Sequence, residues 1–175
     1  WDYTTNATPE QIIALFKDAF YNNQFGTVGI PSQDKELKPH EITTYRTEHG
    51  YSDSRRPDQI DWGESLAEDL KRRDFTINAM ALGLTKNNEL EAQAIAAHGG
   101  GKKLKFYLYD PYKGKYDLGE KLIRAVGEAN ERFLEDALRM MRAVRIASEL
   151  NFKIEPATLN AIRSSAALIN KISGE

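Results

Sequence analysis

The sequence predicts an α+β protein: a mixed sheet with helices over residues 1–126, then a helical part over 127–175. Three observations carry this. Short β-branched or aromatic runs, such as Glu41-Ile42-Thr43-Thr44-Tyr45-Arg46 and Phe106 to Tyr109, alternate with helical stretches before Gly127. After Gly127 the pattern turns wholly helical, from Asn130 to Glu149 and from Pro156 to Ile172. At 175 residues, 41% hydrophobic and 29% charged, the chain has an ordinary globular composition and can hold one good core, or a small domain plus an appendage.

Taken in order, Trp1 to Thr5 reads as the tail of a strand. Thr8-Pro9-Glu10-Gln11 is a helix start, with Thr8 as N-cap and Gln11 completing a capping box. Ile12, Ile13, Leu15, Phe16, Ala19 and Phe20 supply that helix with an apolar face. Phe25 to Val28 is a short strand whose Gly26 suits a close backbone approach, and Glu41 to Arg46 is a better strand. From Glu48 to Gly63 the composition turns polar and predicts a long loop, functional or disordered. Ser65 to Arg72 is a short helix. Lys86 to Lys105, with Gly99-Gly100-Gly101, reads as a flexible insertion rather than a phosphate loop, because it lacks a Gly-Lys-Ser/Thr ending. Asp110 to Gly114 is turn chemistry, Asp117 to Lys121 a helical turn, and Leu122 to Val126 a last strand.

Composition also excludes. With no cysteine, disulfides and thiolate metal sites are ruled out, which fits the cytosol. A net charge of −2 argues against a strongly basic RNA-coating module, so any nucleic-acid contact is local. No apolar run reaches the roughly 20 residues of a membrane helix. His40, His49 and His98 show no ligand spacing. The chain opens at Trp1 without an initiator Met, which suggests a piece of something longer.

The chemistry gathers at Leu70 to Leu82, where Lys71-Arg72-Arg73-Asp74 stands before an apolar run broken by Thr76 and Asn78. Guanidinium forks grip phosphate oxygens bidentately, and a neighbouring acid can fix a fork's orientation. Asn78 adds an amide for a sugar hydroxyl or an orienting group. The alternative is a solvated basic helix end followed by core. A second constellation is Glu135-Asp136-Ala137-Leu138-Arg139, continuing through Arg142 and Arg145. On one helix Glu135, Arg139 and Arg142 share a face, opposite a buried side of Phe133, Ala137, Met140, Val144 and Ala147. Its plain alternative is an exposed Glu135–Arg139 pair worth tenths of a kcal/mol.

Arg72-Arg73-Asp74-Phe75-Thr76-Ile77-Asn78-Ala79-Met80-Ala81 resembles the nucleotide-gripping motif of class II tRNA nucleotidyltransferases and their poly(A) polymerase relatives. That resemblance implies a nucleotidyltransferase-fold (polymerase β-like) head followed by a helical neck. In that family paired carboxylates hold Mg²⁺; Asp2, in a run matching at Thr5, Ala7, Pro9 and Glu10, and Glu41 take those positions here. By the same resemblance Arg73 and Asn78 hold triphosphate and sugar, Asp136 and Arg139 read the base edge, and Arg142 and Arg145 hold phosphate. Asp110 to Leu118 is similar to the family's hinge, which usually carries two glycines where Lys113-Gly114 stands. Tyr51 to Asp58 is similar to its flexible loop, and Ile172 to Glu175 to the opening of its last motif.

The implied reaction adds CMP and AMP, from CTP and ATP, to a tRNA 3′ end with Mg²⁺. Alternatives are a poly(A) polymerase, a CC-adding or A-adding enzyme, or a catalytically silent nucleotide- or RNA-binding module. The family's first paired aspartate would precede Trp1, so the isolated chain is expected to be impaired in catalysis. Without net positive charge, and with the family's further helical body expected beyond Glu175, it is expected to bind tRNA weakly.

Overall fold

A computed structural model describes residues 2–23, 26–32, 34, 37–52, 57–63, 65–84 and 106–171. The 86–105 insertion, residues 53–56 of the polar segment, Trp1, Phe25 and residues 172–175 lie outside them. The architecture is mixed α+β, as the sequence predicts.

Strand β1 (Asp2–Thr5) leads into helix α1 (Pro9–Leu15). The predicted capping box is present: Gln11 N donates to Thr8 Oγ1 at 3.4 Å, and Thr8 N donates to Gln11 Oε1 at 2.9 Å. Strands β2 (Phe20–Asn23), β3 (Thr27–Ile30) and β4 (His40–Thr44) complete a four-stranded sheet in the order β1-β4-β3-β2. β1 runs parallel to β4, and the other pairings are antiparallel. Helix α1 lies against this sheet, and Ile12 and Val28 are both buried. The predicted apolar face runs out early. The helix stops at Leu15, Asp18 turns the chain at φ 63°, and Leu15, Phe16 and Phe20 are left exposed.

Gly26 meets the expectation of close approach. It sits at φ +82°, and a Cβ there would lie 2.5 Å from the Trp62 ring.

Glu48 to Gly63 departs from the loop expectation. Strands β5 (Arg46–His49) and β6 (Gln59–Trp62) pair antiparallel, so this segment is largely a hairpin. Helix α2 (Leu66–Lys71) and a 3₁₀ turn (Thr76–Asn78) follow, then the antiparallel pair β7 (Ala81–Leu84) and β8 (Phe106–Tyr109). Helix α3 (Gly114–Gly119) starts from a turn in which Asp110 accepts from the backbone N–H of Gly114 and Lys115.

The C-terminal region is not wholly helical. Strand β10 (Lys153–Ile154) pairs parallel with β9 (Leu122–Ile123), and the expected strand through Val126 shrinks to those two residues plus a bridge from Ala125 to Phe75. The expected single helix from Asn130 to Glu149 is two, α4 (Ala129–Glu135) and α5 (Leu138–Leu150), broken where Asp136 turns extended at φ −140°, ψ 103°. Phe133, Ala137 and Met140 are buried as the spacing predicts, and the face then shifts by one position within α5. Ala143 is buried instead of Val144, which is exposed. Helix α6 (Pro156–Ser165) and a 3₁₀ stretch (Ala166–Lys171) close the described chain. One cluster packs Phe133, Ala137, Met140 and Ala161 between helices; a second unites Phe75, Ile123 and Ala143 across residue 126.

Candidate nucleotide-binding site

A cleft of about 800 Å³ opens between the N-terminal end of the sheet, the hairpin, the end of α2 and helix α5. Its walls include Asp2, Arg73, Asn78, Asp136, Arg139, Arg142 and Arg145. These are the candidate residues read from sequence, with one exception. Glu41 is not on the wall, but stands beside it as the in-register partner of Asp2 on the parallel neighbouring strand. In-register partners project from the same face of a sheet, so these two exposed carboxylates form one pair.

The arginines divide into a buried and an exposed set. Arg46, Arg72 and Arg139 have side chains only 18%, 15% and 8% exposed; Arg73, Arg142 and Arg145 are 36%, 47% and 60% exposed. The buried set is locked. Arg72 donates from Nε at 3.1 Å and Nη2 at 2.6 Å to Oδ1 of Asp69, and from Nη1 at 3.0 Å to Glu48. Glu48 also accepts from Arg46 Nε at 2.8 Å and the Tyr51 hydroxyl at 2.5 Å.

Neither Asp69 nor Glu48 stood out in the sequence, yet they anchor the site. Asp69, on α2, is fully buried and also accepts from Arg73 Nη2 at 2.8 Å and the Arg46 backbone N–H. Burial pushes the Asp69 carboxyl up, but the guanidiniums of Arg72 and Arg73 outweigh it and hold the carboxyl below its ordinary 3.8. Burial likewise opposes ionisation of Glu48, while Arg72, the Tyr51 hydroxyl and Arg46 bring it below its ordinary 4.5. The Tyr51 hydroxyl is pushed up, by burial first and then by Glu48.

The signal that would have found Asp69 is spacing. Asp69 stands three and four residues before Arg72 and Arg73, one helical turn away.

Asp74 does orient a fork, but not a neighbouring one. It accepts from Arg142 Nε at 2.7 Å, from the Asn78 amide at 3.1 Å and from the Phe75 N–H at 2.9 Å. The central motif is thereby tied to helix α5. Arg139 is tied there too, donating to Glu135 at 2.8 Å and to the Arg72 carbonyl at 3.2 Å. The Glu135–Arg139 pair is therefore not the exposed one that spacing alone allows: Arg139 is 7% exposed overall. Asp136 accepts from the Leu138 N–H at 2.9 Å, so it starts helix α5 from the break.

Two features suit an anion with a sugar and base attached. Arg73 keeps a buried Nε with no hydrogen-bond partner, which is an unmet donor in a basic wall. The exposed guanidiniums of Arg73, Arg142 and Arg145 line the same space as the amide of Asn78. For a metal, among the described residues no group of three or more histidines or carboxylates gathers. The Asp2–Glu41 pair still fits a hard divalent cation, since Mg²⁺ is usually held by one or two carboxylates plus substrate phosphates. Among the described residues no helix is long and apolar enough to cross a membrane.

Residues 1–124 match the family model described as the poly A polymerase head domain. The CCA-adding enzyme of Lactobacillus gasseri is 44% identical over 175 residues, covering 99% of this chain and 38% of that protein. The chain thus spans well under half the length of that curated relative. The structure of the Bacillus stearothermophilus CCA-adding enzyme in complex with CTP superposes at a TM-score of 0.74 and 37% identity, over 97% of this chain and 35% of that one. A tRNA nucleotidyltransferase complexed with a primer tRNA and an incoming ATP analogue matches at 0.58 and 30%, over 86% of this chain and 35% of that one.

Proposed function

From the premise that this chain belongs to the poly A polymerase head-domain family, within the nucleotidyltransferase fold, we propose that it forms the nucleotide-adding part of an enzyme that extends the tRNA 3′ end with CMP and AMP. The observation that carries this reading is the single cleft in which Asp2, Arg73, Asn78, Asp136, Arg139, Arg142 and Arg145 meet. CTP and ATP are the proposed substrates, tRNA the acceptor, and the cytosol the setting in which all three are found together. A bound Mg²⁺ pair would activate the attacking hydroxyl and neutralise the leaving pyrophosphate, and Asp2 and Glu41 would hold it.

The chain's own residues do the rest. Arg73, Arg142 and Arg145 hold the triphosphate, Asn78 contacts the sugar, and the Asp136 and Arg139 edges accept C or A. A carboxylate accepts from an exocyclic amine and a guanidinium donates to a ring nitrogen or carbonyl, which G and U do not match in the same arrangement. In this reading the Asp136 and Arg139 edges take the place of an RNA template.

The test uses the full-length protein, a tRNA ending at its discriminator base, and labelled nucleoside triphosphates supplied one at a time and together. Sequential incorporation of two C and one A supports the reading. Runs of A alone point to a poly(A) polymerase, and no incorporation overturns catalysis. Asp2→Ala is expected to abolish incorporation while the melting temperature stays close to wild type, because Asp2 is exposed at a strand start. Normal turnover by that variant would remove Asp2 from the metal site.

A further inference from the structure

The sheet that carries Asp2 continues away from the cleft, and the row in register with Asp2 is unusual. Reading across the strands, Asp2 on β1 pairs with Glu41 on β4, Glu41 with Gly29 on β3, and Gly29 with Phe20 on β2. All four positions project from one face. Val28 is offset by one residue and points to the other face, together with its partner Ile42 and with Thr44, whose hydroxyl donates to the Ala7 carbonyl just ahead of α1, so this row faces away from the α1 side.

At its far end Phe20 does not stand upright. Its ring lies over Gly29, so that a Cβ on Gly29 would be 2.5 Å from Cζ, 2.7 Å from Cε2 and 3.0 Å from Cε1. Gly29 is buried under the ring, yet Phe20 itself is 41% exposed. A glycine within a strand often marks a close approach. Here it lets an aromatic ring lie over the sheet one strand away from a carboxylate, with solvent on the ring's outer side.

The placement of the cleft decides what such a ring serves. Asp2 lines the cleft and Glu41, one strand further out, does not. The incoming triphosphate is therefore on the β1 side of the carboxylate pair. In phosphoryl transfer the attacking and leaving oxygens are roughly in line, on opposite sides of the phosphorus. The attacking hydroxyl has to come from the side away from the cleft, over β4, β3 and β2. Strands are about 4.8 Å apart, so a ring over Gly29 is about one strand spacing beyond Glu41.

We propose that Phe20, laid across Gly29, is the stacking platform for the terminal base of the RNA whose 3′-hydroxyl is extended at Asp2 and Glu41. A flat apolar ring holds any base by its π-face, which suits a primer end that changes identity as nucleotides are added. Charge is not needed there, since the attacking end carries a neutral hydroxyl. This inference rests on the nucleotidyltransferase reading for the identity of its ligand.

The test uses the full-length protein and a tRNA whose last nucleotide is 2-aminopurine, whose fluorescence falls when its base stacks. Quenching on binding is expected with wild type and with Phe20→Trp, and is expected to vanish with Phe20→Ala. Gly29→Ala keeps the ring but lifts it from the sheet, and is expected to weaken the quenching. With unlabelled tRNA, Phe20→Ala is expected to lower kcat/KM for tRNA about ten- to a hundredfold, the usual worth of one stacked base, and to leave KM for CTP unchanged.

Equal quenching by Phe20→Ala and wild type overturns the platform, as does an unquenched wild type or a wild type that fails to bind the tRNA. If Phe20→Ala does not fold, Phe20→Trp and Gly29→Ala decide the matter alone. Quenching with wild type but no nucleotide incorporation leaves the platform standing and removes the catalytic reading instead.

Discussion

At the scale of single residues, burial separates the locked arginines, Arg46, Arg72 and Arg139, from the more exposed Arg73, Arg142 and Arg145, and Arg139 is the buried one for which a ligand contact is proposed. Arg139 is the informative case. With both ends of its fork occupied, by Glu135 at 2.8 Å and the Arg72 carbonyl at 3.2 Å, it presents one edge rather than a mobile charge. Arg139→Ala in the full-length protein is expected to relax the preference for C and A over G and U by about ten- to a hundredfold, the worth of one hydrogen bond to a charged group. Triphosphate affinity should hold, because Arg73, Arg142 and Arg145 remain. Its burial adds a cost that spacing alone would not suggest: about 1–3 kcal/mol of stability, since truncation strips Glu135 and a carbonyl of a partner. A four-nucleotide competition assay beside a denaturant melt checks both. Lost stability with unaltered selectivity would make Arg139 a purely structural residue. Arg139→Lys sharpens the test, since it keeps the charge and loses the fork.

At the scale of elements, legibility in the sequence followed local signal strength. The Thr8 capping box, strand β4 and the Leu66–Lys71 helix were readable because each carries its own chemistry. The hairpin of β5 and β6 was not, and the reason is the site itself. Arg46, Glu48 and Tyr51 turn polar groups toward the cleft, so the alternation that marks a strand is missing. The break at Asp136 was hidden because Asp and Ala are compatible with a helix; only the new start at Leu138 requires the turn. Among the site residues, the motif arginines were legible and their holders Asp69 and Glu48 were not, because a buried acid looks like a surface one until the partners are folded around it. The hinge-like turn before α3 shows a residue out of keeping with its backbone. Lys113 sits at φ 60°, ψ 33°, where a glycine would carry no penalty. A left-handed non-glycine residue costs roughly 1–2 kcal/mol, while a new glycine gives back about 0.4–1 through the unfolded chain. Lys113→Gly should therefore raise stability by roughly 0.5–1 kcal/mol on those values, and Lys113→Val should lower it. Denaturant midpoints for the pair of variants measure this, and a loss of stability in the glycine variant would mean the lysine side chain contributes more than its backbone costs.

At the scale of the whole molecule, the sheet part and the helical part are joined through polar contacts around the cleft as well as through the Phe75–Ile123–Ala143 core. Arg142 reaches back to Asp74, Arg139 to the Arg72 carbonyl, and Arg132 to the Lys71 carbonyl. Behind them, Asp69 and Glu48 carry the buried charge that keeps Arg72 in place. Stability should for this reason depend on acid in a predictable direction. Both carboxyls are held below their ordinary values of 3.8 and 4.5 in the folded chain. A depressed folded pKa adds stability that is fully present above the unfolded value and is lost as pH falls through the folded one. The contribution is thus complete above about pH 4.5 and declines as the pH is lowered past 3.8 and on through the depressed folded values. Asp69→Asn removes one of these two charges. At pH 7 it should cost roughly 3–5 kcal/mol, the usual penalty for leaving a buried partner uncompensated, because Arg72 and Arg73 lose their shared acid. The gap between wild type and Asp69→Asn should then narrow as pH falls below 4, where protonation takes the same charge from the wild type. Denaturant melts of both proteins from pH 7 down to the acid unfolding limit decide it. A gap that stays constant with pH would mean that Asp69 acts through packing and hydrogen-bond shape rather than through its charge, and the electrostatic account of the cleft would have to be given up.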